Sequence, residues 1–189
     1  MNYEEFKASL TEQERGIVSA YEKVLGASKH LNVLEIGSGW GIFTRVCIEM
    51  KIPNIVTIDK IGGYGLTEFK KNVGELEKYV TRMTGDSKDV LPELKKNTLG
   101  YSLIFVDGDH TRPGAHKDLH NAWDLLAPGG TLMIDDVFHR ENYSCINHET
   151  GEHNFGVGHA LWEFMIDKSE IAHAEIFKVG HGLVTIYKP

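Results

Sequence analysis

The sequence is poor in the features that would set it apart from ordinary globular proteins. Its 2 cysteines, Cys47 and Cys145, lie far apart and outside any C-x-x-C spacing, which argues against a disulfide scaffold or a thiolate zinc site. No run approaches the roughly 18 uncharged apolar residues of a membrane span. The opening Met1-Asn2-Tyr3-Glu4-Glu5 lacks the basic start and apolar stretch of a signal peptide. The expectation is a cytoplasmic protein with no membrane partner. Positive charge is also scarce: 20 Lys+Arg against 27 Asp+Glu leave a net charge of −7, with no basic cluster. Counterion release needs a positive face, so nucleic acid is not expected as a partner. Internal repeats, low-complexity tracts and linkers are absent. The 189 residues therefore read as one domain, large enough to bury about 70% of its unfolded surface without disulfides or structural metal.

What is present alternates between two periodicities. From Thr11 to about Ala27, Ile17, Val18, Tyr21, Val24 and Leu25 recur at helical spacing behind a Thr11-x-x-Glu14 capping box, within an N-terminal helical segment over 1–29. Asn32 to Ile36 is a short apolar run that ends in Gly-Ser-Gly, and helical spacing resumes from Ile42 to Met50. The same unit recurs downstream. Strands are expected at Ile55–Ile58, Val80–Thr84, Tyr101–Val106 and Thr131–Ile134, and helices at Gly65–Lys78, Val90–Lys96 and Pro113–Leu126. Strands alternating with helices imply an α/β fold with a parallel sheet covered on both faces. A last helix is expected over Val157–Ile171, and Ala174–Val179 and Leu183–Tyr187 flank Gly180-His181-Gly182 as a hairpin. Between them, 137–157 has no periodicity and reads as a substrate lid carrying Phe138, His139, Tyr143, His148, His153 and Phe155. The histidines at 148, 153 and 159 share no helical face and read as a solvated set, not a zinc site.

In an open parallel sheet the first strand-to-helix turn is the usual ligand contact. Here it reads Glu35-Ile36-Gly37-Ser38-Gly39-Trp40-Gly41. Glycines allow a sharp turn and a close approach of ligand to backbone. The spacing is G-x-G-x-G, however, and not the G-x-G-x-x-G of a dinucleotide site. Glu35 would repel a pyrophosphate but suits a ligand with a cationic amine. Asp59 ends the next strand, placed to accept from both hydroxyls of a ribose. Asp86, in Gly85-Asp86-Ser87, is placed to accept from an exocyclic amine, or else to cap a turn. Three acids at successive strand ends describe a cationic nucleoside.

These segments, with Phe105-Val106-Asp107-Gly108-Asp109-His110 and Leu126-Ala127-Pro128-Gly129-Gly130, resemble in order and spacing the class I S-adenosylmethionine-dependent methyltransferases. The resemblance implies a single-domain Rossmann-like fold, with a mostly parallel seven-stranded sheet, a C-terminal antiparallel hairpin and helices on both faces. It also implies S-adenosylmethionine as cofactor, held by Glu35, Gly37, Ser38, Gly39, Asp59, Asp86, Ser87 and Asp107.

A second acidic group lies at the same edge: Asp107 after the fourth strand, and Asp135 with Asp136 after the fifth. Unpaired carboxylates in a low-dielectric cleft repel, and a hard cation such as Mg²⁺ relieves the repulsion. The arrangement resembles the metal-dependent O-methyltransferases acting on catechols, caffeoyl groups and macrolide sugars, and this implies Asp107, Asp135 and Asp136 as metal ligands. His110, three residues past Asp107, stands where the catechol and caffeoyl families carry Lys and some sugar O-methyltransferases carry His. It is the candidate base, with His139 in reserve, while Asp109 either contacts the cofactor or orients His110. The expected activity is Mg²⁺-dependent O-methylation of a small hydroxylated acceptor: sugar, alcohol or phenol. The alternatives are a metal-independent N- or C-methyltransferase and a non-catalytic S-adenosylmethionine-binding module. A homodimer is compatible with the absence of an appended recognition domain.

Overall fold

The structure is a computed structural model that describes residues 1–27, 32–60, 63–96, 100–138, 156–168, 170–171 and 173–189. Its elements in chain order are α1 (Tyr3–Ser9), α2 (Glu12–Ala27), β1 (Asn32–Ile36), α3 (Ile42–Glu49), β2 (Asn54–Asp59) and α4 (Gly63–Asn72). A 3₁₀ helix (Gly74–Tyr79) leads into β3 (Thr81–Thr84), α5 (Ser87–Lys95), β4 (Tyr101–Val106), α6 (Arg112–Leu125) and β5 (Leu126–Ile134). The chain closes with α7 (Val157–Asp167), β6 (Ala174–Phe177) and β7 (Leu183–Tyr187).

The sheet has seven strands in the order β3-β2-β1-β4-β5-β7-β6; β7 is antiparallel to β5 and to β6, and the other pairings are parallel. Strand side chains alternate between faces, so Leu34, Ile36, Ile104 and Val106 join α6 and α7 in one core. Val33, Leu103 and Phe105 join α1, α2 and α3 in the other. Both faces are dry, which is why the central strands read as unbroken apolar runs.

Several boundaries differ from the sequence reading. The expected Gly65–Lys78 helix stops at Asn72, because Gly74 lies at φ +54 and the chain continues as 3₁₀. The expected Val90–Lys96 helix starts earlier, at Ser87, where the Asp86 side chain accepts from the Lys88 amide. The last helix ends at Asp167, short of Ile171. Tyr3–Ser9 forms a helix of its own behind an Asn2–Glu5 capping box. The Thr11–Glu14 box forms as expected: Glu14 N–H donates to Thr11 Oγ1 and Thr11 N–H to Glu14 Oε2. Most of the expected lid, with His139, His148, His153 and Cys145, lies outside the described residues. Among the described residues no helix is long and apolar enough to cross a membrane.

Candidate active site

Strand order reverses between β1 and β4, so a crevice opens there at the carboxyl edge of the sheet. The ladder extends one residue beyond the strands. Gly37 N–H bonds Ile58 O at 2.8 Å, Asp107 N–H bonds Ile36 O at 2.8 Å and Asp135 N–H bonds Val106 O at 3.1 Å. Each acid is thereby fixed by sheet register, not by a free loop. Gly37 lies at φ +87 and packs against the next strand end; a β-carbon there would fall 2.0 Å from the Asp107 carbonyl oxygen. Only glycine lets the two strand ends meet.

The crevice is a cavity of about 830 Å³ lined by the glycine loop, Glu35, Asp59, Ser87, Asp107, Gly108, His110 and Asp135, with Glu14, Ile17 and Tyr21 of α2 forming one wall. That volume suits a nucleoside-sized ligand. Asp59 Oδ2 accepts from the Gly39 amide at 2.6 Å and from Ser38 Oγ at 3.1 Å, so the second strand end holds the glycine loop in shape. Glu35 is 1% exposed, faces the α2–α3 core and accepts from the Thr44 hydroxyl. Burial pushes its pKa up to about 8.

Asp86 is placed differently from Asp59. Its carboxylate caps α5 and pairs with Lys60 and Lys88, both at 3.1 Å, and it is not among the cavity-lining residues. Burial works against ionisation there, but the two lysines prevail and hold the carboxyl below its usual range. The neighbouring Ser87 does line the cavity, and its hydroxyl donates at 2.6 Å to Asp118 of α6, which is 2% exposed. Asp118 escaped the sequence reading because nothing along the chain marks one acid of α6 as inward-facing.

At the other end of the cavity Asp107, His110 and Asp136 come together. His110 Nε2 is 3.1 Å from Asp107 Oδ1 and its Nδ1 is 3.4 Å from Asp136 Oδ2. The three donor atoms lie within 4.8 Å of one another. The hydrogen bond to Asp107, set against burial and aided by the charges of all three aspartates, raises the His110 pKa to about 9. Asp136 sits at φ +59, a conformation Asp tolerates better than most residues, and its amide donates to Asp135 Oδ1 at 2.8 Å. The donor atoms that converge here are thus those of two carboxylates and an imidazole, and the third expected carboxylate, Asp135, lines the cavity alongside. Asp135, 8% exposed, also reaches α2, where Tyr21 Oη donates to its Oδ2 at 3.1 Å. Burial and the Asp107 charge push the Asp135 carboxyl up. Asp109 accepts from the Thr111 amide and belongs to the turn into α6, while Thr111 itself caps that helix.

Tyr21, like Asp118, is a residue that sequence reasoning missed. It stood in an apolar helical stripe, and only its phenolic tip, which usually finds a partner when buried, hinted at more.

The profile described as "Methyltransferase domain" matches residues 34–137, more than half the chain and every segment that lines the crevice from β1 to β5. This chain belongs to that methyltransferase domain family. Solved structures share its fold. An O-methyltransferase from Bacillus cereus in complex with SAH superposes at TM-score 0.69, with 17% identity over 96% of this chain and 83% of that one. The SAH-bound Podospora anserina methyltransferase PaMTH1 gives 0.69, with 20% identity over 98% of this chain and 86% of that one. MycE methyltransferase of the mycinamycin biosynthetic pathway, in complex with Mg, SAH and mycinamycin VI, gives 0.62, with 16% identity over 90% of this chain and 49% of that one. No curated protein matches the methyltransferase by sequence.

Proposed function

We propose that this methyltransferase moves the methyl group of S-adenosylmethionine to a hydroxyl oxygen of a small acceptor, a sugar, alcohol or phenol, with Mg²⁺ held at Asp107 and Asp136. The observation that carries the reading is the meeting of Asp107 and His110, both lining the glycine-loop cavity, with Asp136 beside them. Gly37, Ser38 and Gly39 present backbone to the nucleoside, Asp59 keeps an oxygen for its ribose beyond the bonds it makes to the loop, and Ser87, oriented by Asp118, reaches the base. Glu35 sits beneath the amino-acid end of the cofactor, where a cationic amine would draw it to its ionised form.

The donor set fits a hard ion in part. Asp107 and Asp136 offer carboxylate oxygens to one space, but the imidazole of His110 occupies the position between them. Bound there, the ion would lower the pKa of the acceptor hydroxyl and compete with the His110 proton for the two carboxylates. The chain's own part is alignment and proton removal. The α2 wall and the glycine loop hold acceptor and cofactor in line. The acceptor oxygen's lone pair forms the new C–O bond as the methyl–sulfur bond breaks and its electron pair goes to sulfur; His110 takes the hydroxyl proton in its neutral form, which an ion on the two carboxylates would favour by displacing the imidazole's own proton.

A second, metal-independent reading rests on the same contact, because a protonated His110 already neutralises the carboxylates on either side. One experiment separates the two. Methyl-labelled S-adenosylmethionine is incubated with catechols and sugars in Mg²⁺ or in EDTA, and products are identified by mass spectrometry. We expect a methyl ether formed only with Mg²⁺, and a fall in kcat of about 10²–10⁴ in His110→Gln. Equal turnover in EDTA selects the metal-independent reading, and a methyl on nitrogen or carbon overturns O-methylation altogether.

A further inference from the structure

We propose that His116 and His120 of α6 and Asp167 of α7 form a second metal site, built for zinc or a similar divalent transition metal, that clasps these helices together. The two histidines stand one helical turn apart, so both side chains project from the same stripe of α6. Their rings are 4.5 Å apart between centroids. The apolar stripe of α6, with Ala115, Leu119 and Ala122, is spent on the sheet, and this leaves the histidine stripe facing α7. There Asp167, the last residue of the helix, supplies the third donor. Its Oδ2 is 3.8 Å from His116 Nε2 and 3.5 Å from His120 Nε2, and the three donor atoms fall within 4.8 Å of one another. Zinc bonds of about 2.0–2.2 Å to nitrogen and oxygen separate tetrahedral ligand atoms by roughly 3.3 Å, so the donors need to move only slightly to close on an ion.

A second observation points to a ligand. His120 Nε2 is shielded from solvent and makes no hydrogen bond, although it faces the Asp167 carboxylate. Its ring packs edge-on against buried Phe164 at 5.3 Å, which turns the nitrogen inward although the side chain as a whole is 31% exposed. A buried nitrogen without a partner is costly, and a coordinated metal supplies the missing partner for its lone pair. The donor chemistry chooses the metal class. Two imidazoles with one carboxylate suit zinc, copper, nickel or cobalt, whereas Mg²⁺ and Ca²⁺ prefer all-oxygen shells. The fourth position is left to water. Glu163, one turn earlier on α7, is engaged by Arg112. The residues share none of the cavity lining, so this site is separate from the pair of carboxylates flanking His110.

The test is calorimetric titration of the full chain with Zn²⁺ in saturating Mg²⁺, on wild type, Asp107→Asn, His116→Gln and His120→Gln. Wild type and Asp107→Asn should each take up one tight equivalent. Loss of an outer partner of a metal ligand already costs about 10–100-fold in affinity, so either glutamine variant should lose more than about 100-fold. Cobalt substitution gives a readout independent of stability, since the visible d–d band of imidazole-bound Co²⁺ should vanish in both glutamine variants. Circular dichroism establishes that each variant folds, and two separate histidine variants keep the test alive if one does not. Unchanged zinc uptake in both glutamine variants, or loss of the tight equivalent in Asp107→Asn instead, overturns the proposal.

Discussion

Glu35 shows how strongly one residue's environment can invert its chemistry. Exposed, its carboxyl would titrate near 4.5; burial among Phe43, Phe105 and Tyr21 takes it to about 8. The native state therefore keeps a proton that the unfolded chain has already lost. The stability associated with this group is intact below about pH 4.5 and drains away as pH rises to about 8, because the unfolded state then binds fewer protons than the native one. Glu35→Gln keeps an oxygen for Thr44 and removes the titration. In denaturant curves of the ligand-free protein, the variant should gain on wild type by a few kcal/mol between about pH 5 and about pH 9, and parallel pH profiles would contradict the assignment. That Glu35 ends the first strand before a glycine turn was plain from the sequence. Its burial was not, because a strand end looks solvent-facing until α2 and α3 are seen packed over it. Asp86 is the opposite case: the Gly-Asp-Ser turn signal pointed equally to capping, and Lys60 and Lys88, which decide its environment, gave no pattern along the chain.

Among the elements, α2 has a role beyond packing. It is the one helix of the N-terminal segment that reaches into the cavity, and the Tyr21–Asp135 bond ties it to the end of β5 across 114 positions of sequence. Tyr21→Phe keeps the ring in its edge contacts with Phe43 and Phe105, at 5.1 and 5.3 Å, and deletes only the hydroxyl. Asp135 is then left buried without that donor, at a cost of about 1–3 kcal/mol. Denaturation should show that loss with an unchanged m-value, and hydrogen exchange should show protection falling in α2 more than in α6. A loss spread evenly over both helices would mean that the bond does not anchor α2 in particular. The elements themselves were legible where periodicity was long and caps were local: the Thr11 box, the β1–glycine loop–α3 unit and the C-terminal hairpin all stand as the pattern implied. Legibility failed where a single backbone angle governs, as at Gly74. It also failed where tertiary pairing extends a strand through turn-like residues, as when β5 runs through Pro128 and Gly129 to bond β4 from Leu126 onward. The contact of His110 with Asp136 belongs to the same class. Adjacent residues point to opposite sides, and sequence alone does not say which side holds the imidazole.

At the scale of the whole molecule, the carboxyl ends of β1, β2, β4 and β5 share one edge, and both cores stand behind it. Ligands bound at that edge therefore stabilise the cooperative unit as a whole. S-adenosylmethionine at about 100 times its Kd should add about 2.7 kcal/mol, which for a domain of this size corresponds to a Tm rise of roughly 5–10 °C. Mg²⁺ should add a further rise on top of it if Asp107 and Asp136 take the ion. Asp136→Asn tolerates the same left-handed backbone and removes one charge, so it should retain the S-adenosylmethionine shift and lose the Mg²⁺ increment. The same pair of melts in His120→Gln should leave both shifts intact, because that residue lies outside the cavity. Were the Mg²⁺ increment to survive in Asp136→Asn, the ion would have to bind elsewhere, and the carboxylates would be left to His110 alone.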